Sequence, residues 1–176
     1  MTFEIVAVSS GATNNGITTT ATSTTTTIPF GNIKPGDVKY VSQKITVTTN
    51  APHGYTVNAY LADPITGQST GNEIDPFGAT NATWSNPVIW STPTGTTANS
   101  DSGWIAANTS DTRVTGWGSA SAKFGPMSGI AHAVAYSSTP DRSGTDIYVT
   151  YALGVNNVQP ADIYTGKIVY EVEASY

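Results

Sequence analysis

The chain lacks cysteine altogether and carries little charge: charged residues make up 11% of its 176 positions, against roughly 25% in an average soluble domain. Without cysteine there is neither a disulfide framework nor thiol catalysis. Exported proteins can lack cysteine too, so the compartment stays open. Basic residues are scarce, with seven Lys plus Arg and an isoelectric point near 4.7. That excludes a cationic footprint for nucleic acid or an anionic membrane. Apolar runs are short. Ile5-Val6-Ala7-Val8 falls far below the ~20 residues that span a bilayer, and no charged-then-apolar leader precedes it. A start at Met1 fits a cytosolic chain, or a mature chain already freed of its leader. The Ala/Glu/Lys/Leu/Arg richness of helical bundles is missing as well.

What remains points to an all-β body. Hydrophobic residues reach 38% and aromatics 10%, with a net charge of only −5, which supports a packed core rather than disorder. Period-two alternation recurs. Val41, Ile45 and Val47 share one face with Lys39 and Gln43, while Lys44, Thr46 and Thr48 take the other. Tyr55, Val57, Ala59 and Leu61 alternate in the same way, as do Ile147, Val149, Tyr151 and Leu153, and Ile168, Tyr170, Val172 and Ala174. Such alternation describes antiparallel strands with one face wet. It predicts Ile45, Val47, Val57, Val149, Tyr151, Ile168 and Tyr170 as core positions. Shorter strands are expected at Ile17–Thr22, Thr24–Phe30, Thr83–Trp90, Arg113–Thr115, Ala122–Phe124 and Ile130–Ser137. The expected fold is an antiparallel β-sandwich, jelly-roll-like, with a loop-rich insertion around 63–124 that holds all four tryptophans, Trp84, Trp90, Trp104 and Trp117.

Signals for chemistry are weak. The two histidines, His53 in a turn and His132 in a strand, read as structural, and no catalytic or phosphate-binding motif is present. Glu171 and Glu173 share the polar face of one strand, where solvation accounts for them. Asn99–Gly103 and Asp141–Asp146 are oxygen-rich loops that read as loops before they read as calcium sites. No catalytic residue, metal or cofactor is assigned. Four tryptophans and nine tyrosines leave room for sugar stacking on a surface module. Asn81-Ala82-Thr83 and Asn108-Thr109-Ser110 are glycosylation acceptors at Asn81 and Asn108.

The N-terminus carries the most specific expectation. Thr2, Phe3, Glu4, Ile5, Val6, Ala7 and Val8 form an apolar strand. Residues 9–16 read as a flexible linker, and the sandwich proper as 17–176. A sticky strand, a tether and an all-β body are the parts of strand donation between subunits, with residues 1–8 as the detached donor. Pairing of the same strand within its own domain is the competing expectation.

Ile28-Pro29-Phe30-Gly31-Asn32-Ile33-Lys34-Pro35-Gly36-Asp37, the strand after it, and Pro160-Ala161-Asp162-Ile163-Tyr164-Thr165-Gly166-Lys167-Ile168-Val169-Tyr170 resemble extracytoplasmic β-sandwich proteins of prokaryotic cell surfaces. The Lys-Pro-Gly-Asp turn before a strand is similar to that of biofilm fibre subunits of the TasA and camelysin type. The resemblance covers under a third of the chain. It implies a secreted, extracellular, non-enzymatic subunit of a cell-surface filament or pilus, a homopolymer whose partner is another copy of itself, related to filaments that assemble by donor-strand complementation. The alternative is a cell-surface carbohydrate-binding or adhesive β-sandwich module, with glycans or other surface components as partners. A hydrolase with dispersed acids ranks below both.

Overall fold

The computed structural model describes residues 1–119 and 121–176. The described residues form an all-β fold of twelve strands with no helix. They are β1 (Thr2–Ala7), β2 (Thr13–Asn14), β3 (Ile17–Thr18), β4 (Val38–Thr49), β5 (Tyr55–Gly67), β6 (Glu73–Pro76), β7 (Val88–Ile89), β8 (Gly103–Thr109), β9 (Lys123–Pro126), β10 (His132–Ser137), β11 (Asp141–Val155) and β12 (Tyr164–Ala174). One antiparallel layer runs β1-β4-β11-β8-β9, the other β10-β5-β12. Short β6 joins them at a corner, antiparallel to β5 and parallel to β8.

The alternating strands build the interior as their periodicity requires. Ile45, Val47, Val57, Val149 and Tyr151 are all buried, and β4 lies against β11 in register from Val38↔Gly154 to Val47↔Thr145. Ile168 and Tyr170 face the same core but stay half-buried. The short connection from β4 to β5, which carries the chain from one layer to the other, turns at Gly54, whose φ is 74°. A Cβ there would lie 2.1 Å from the Ser137 carbonyl oxygen, so only glycine fits both the backbone angle and the space.

The outer face of the first layer is not simply wet. Tyr40, Ala152, Trp104, Ala106 and Phe124 gather on it with Phe77, Trp90 and Ile17 into a second apolar cluster. The 63–124 region is therefore more than an elaboration of loops. It supplies β8, a central strand with all seven residues buried, and a wrap over that face. Arg113–Thr115 makes no strand, and of Thr83–Trp90 only Val88–Ile89 does.

Candidate functional site

Thr2 to Ala7 pair at home. β1 is antiparallel to β4, from Thr2↔Thr48 through Ile5↔Ile45 to Ala7↔Gln43. In the single chain the donor segment is thus attached, not detached as expected. The physical reason is the open edge of β4, which would otherwise present unpaired backbone groups. β1 is the last strand of its layer, and none of its six residues is fully buried. Phe3 and Ile5 face the core and remain half-exposed, Phe3 tilted against Tyr170 at 6.1 Å between ring centroids. Only Val8, just beyond the strand, is buried. Its N–H donates to Ser23 Oγ at 2.9 Å, and the Ser23 N–H donates to the Val8 carbonyl at 3.0 Å.

Residues 9–16 are likewise not loose. Thr13-Asn14 and Ile17-Thr18 pair as a two-residue hairpin around Asn15-Gly16. Asn15 (φ 47°) and Gly16 (φ 76°) both take the left-handed angles that such a turn requires. Asn-Gly between strand-forming residues is the sequence signal for this hairpin, and it is the feature a linker reading of the segment passes over.

Between β1 and β12, on the side where the two layers meet, lies an apolar groove of about 1140 Å³. Phe3, Ile5, Ile65, Leu153, Ile168 and Tyr170 are among its lining residues. The segment 24–35 runs through it and packs Ile28, Phe30 and Ile33 against the main core. This stretch is irregular, contrary to the strand expected at Thr24–Phe30. Thr24 folds it into a local turn, its Oγ1 accepting from the Thr26 and Thr27 N–H groups. Pro29 brings no N–H, and Gly31 takes φ 68°, so a continuous ladder is interrupted.

A polar thread crosses the core to this segment. Tyr151 donates to the Tyr170 hydroxyl at 2.8 Å. Tyr170 in turn donates to Gln43 Oε1 at 3.3 Å, and Gln43 Nε2 donates to the Thr24 carbonyl at 2.8 Å. Burial raises the pKa of both tyrosines, so the thread is made of neutral groups that position rather than react.

The other candidates fall outside this site. Asn81 is exposed at φ 62°, a geometry open to a glycan. Asn108 is 0% exposed in β8, and its Nδ2 donates to the Lys123 carbonyl at 2.8 Å. The folded chain therefore offers no acceptor at Asn108. His53 is exposed. His132 stacks on Trp84 at 4.9 Å, and desolvation lowers its pKa. Trp84 also packs on Trp117, and Trp90 lies flat on Phe77 at 5.1 Å. Their rings are engaged within the fold, Trp84 and Trp90 remaining half-buried. Glu171 accepts from the Tyr60 hydroxyl, and Glu173 is exposed. Asn99 and Asp101 accept from the Glu73 N–H and Trp104 Nε1. Asp141 accepts from Gly144 and Thr145. Among the described residues no three acidic or histidine side chains gather as a metal site. No family model matches the chain, and neither curated proteins nor solved structures give a match to it.

Proposed function

We propose that the chain is a structural, non-enzymatic subunit of an extracellular cell-surface filament, and that it polymerises by exchanging its N-terminal strand with neighbouring copies. One observation carries the reading: β1 is a terminal edge strand with no fully buried residue, beside an apolar groove. Exchange keeps the register Thr2↔Thr48 to Ala7↔Gln43 and makes the same ladder between two chains. Bonds broken at home are remade in trans, so the cost is small and concentration drives assembly. Partial burial also limits what holds β1 at home. Fully burying a Phe or Ile contributes ~1.5–3 kcal/mol, and Phe3 and Ile5 reach only part of that.

Deleting Met1–Val8 tests the reading by negative-stain microscopy. The expected product is a monomer without filaments, stabilised by an added Thr2–Val8 peptide in thermal melts. Filaments of normal appearance from the deletion variant overturn strand exchange.

A further inference from the structure

Between β7 and β8 the chain runs through Ser91-Thr92-Pro93-Thr94-Gly95-Thr96-Thr97-Ala98-Asn99-Ser100 without forming a strand. Its backbone is held all the same. Asn156 Nδ2 donates to the Gly95 carbonyl at 2.8 Å and to the Pro93 carbonyl at 3.3 Å. The Gly95 N–H donates to the Asp101 carbonyl at 2.7 Å, and Asn99 Oδ1 accepts from the Glu73 N–H at 2.6 Å. A Cβ at Gly95 would collide with the Ser100 carbonyl, so glycine is needed for this close approach. Pro93 is buried, while Thr92 and Thr94 on either side of it are exposed.

The hydroxyls of this loop are not used by the fold. Ser91, Thr92, Thr94, Thr96, Thr97 and Ser100 are all exposed, and none of their hydroxyls has a hydrogen-bond partner among the described residues. The other threonine-rich irregular stretch, residues 19–27, behaves differently. There Thr19 donates to the Ser9 carbonyl, Thr20 donates to the Tyr40 carbonyl, and Thr24 accepts from the Thr26 and Thr27 N–H groups. Those hydroxyls shape the local backbone. The ones at 91–100 are spare, on an anchored backbone outside any ladder.

A loop that presents neighbouring free hydroxyls around a proline suits glycosyl transfer. Charge favours an uncharged adduct. Residues 77–100 contain no charged side chain, and the loop is bounded by carboxylates, Asp75 Oδ2 accepting the Asp101 N–H at 2.6 Å. A phosphate added here would meet those carboxylates with no Lys or Arg in its own stretch, whereas a sugar brings no charge. In the transfer, threonine Oγ1 attacks C1 of a sugar carried as a glycosyl phosphate. The new C1–O bond forms as the C1–O bond to phosphate breaks, the phosphate leaves on its carrier, and the hydroxyl proton passes to the transferase's base. The loop also lies away from the exchange site. It leads into Gly103, opposite Val155, and the neighbouring Gly154 pairs with Val38 at the start of β4. Thr2 lies opposite Thr48, at the other end of β4.

We propose that Thr92, Thr94, Thr96 and Thr97 are O-glycosylation sites that place a sugar coat on this end of the sandwich. The inference rests on the extracellular reading above. Mass spectrometry with electron-transfer fragmentation, on native protein separated into cell-surface and cytosolic fractions, tests it. Hexose or N-acetylhexosamine additions are expected on at least two of the four threonines in surface material. Bare threonines in surface material, or phosphate in place of sugar, overturn the glycosylation and leave the surface reading standing. A chain found bare and in the cytosol alone overturns both. The variant Thr92→Ala, Thr94→Ala, Thr96→Ala, Thr97→Ala gives a second readout. Produced without modification, it is expected to melt at the same temperature as the unmodified wild type. A lowered melting temperature shows that the hydroxyls serve the fold, and also overturns the proposal.

Discussion

Asp162 accepts four hydrogen bonds, from the Ser69 N–H, the Thr70 N–H and hydroxyl, and the Ile163 N–H, all between 2.7 and 2.9 Å. These donors, the Thr70 N–H foremost, push its pKa down to about 2. They tie the turn after β5 to the lead-in of β12, beside the groove. An unfolded aspartate titrates near ~3.9, so the clamp's contribution is complete above that pH and is lost as pH falls through about 2. Thermal melts of wild type and Asp162→Asn should therefore differ at neutral pH and converge between about pH 4 and 2; a gap that is constant with pH contradicts the clamp. Val149 is 0% exposed. Val149→Asp buries an unpaired carboxylate at a cost of several kcal/mol, comparable with the ~5–15 kcal/mol that holds a domain folded. Circular dichroism should find that variant unfolded, and a soluble, cooperative melt contradicts the core assignment. In a host that N-glycosylates its exported proteins, mass spectrometry should find glycan on Asn81 and none on Asn108; modified Asn108 in folded material contradicts the burial of β8.

At the scale of elements, what was legible in the sequence tracks one-sided burial. β4, β5, β11 and β12 alternate, because one face meets the core and the other meets water or polar cover, and their core residues follow directly from the pattern. β8 does not alternate. Its Gly-Trp-Ile-Ala-Ala-Asn-Thr is buried on both faces, under the second cluster on one side, so small and polar residues mix with apolar ones and period two is erased. Thr24–Phe30 has strand propensity without a ladder, since Thr24's own hydroxyl and Pro29 compete with pairing. The candidate site was legible in half. The apolar strand at Thr2–Val8 could be read, but its partner β4 is set by tertiary pairing with residues far along the chain, from Thr2↔Thr48 to Ala7↔Gln43. The hairpin at Asn15-Gly16 was written in local turn chemistry. The groove between β1 and β12 has no local signature, because its walls come from strands at opposite ends of the chain.

At the scale of the whole molecule, the account makes one geometric claim: in the filament, β1 of each copy lies on β4 of another. The pair Glu4↔Thr46 reports on it directly, since the two residues lie opposite each other on the outer face and directly opposed Cβ atoms stand ~4.5–5.5 Å apart. The chain has no native cysteine, so no native thiol competes with the pair in a Glu4→Cys, Thr46→Cys double variant. Filaments of this variant, oxidised and then denatured without reductant, are run on a gel beside oxidised monomer. The account predicts a covalent ladder of multimers from the filaments and a single internally bridged chain from the monomer. Filaments that dissolve entirely into internally bridged single chains show that β1 never left home, and contradict the account.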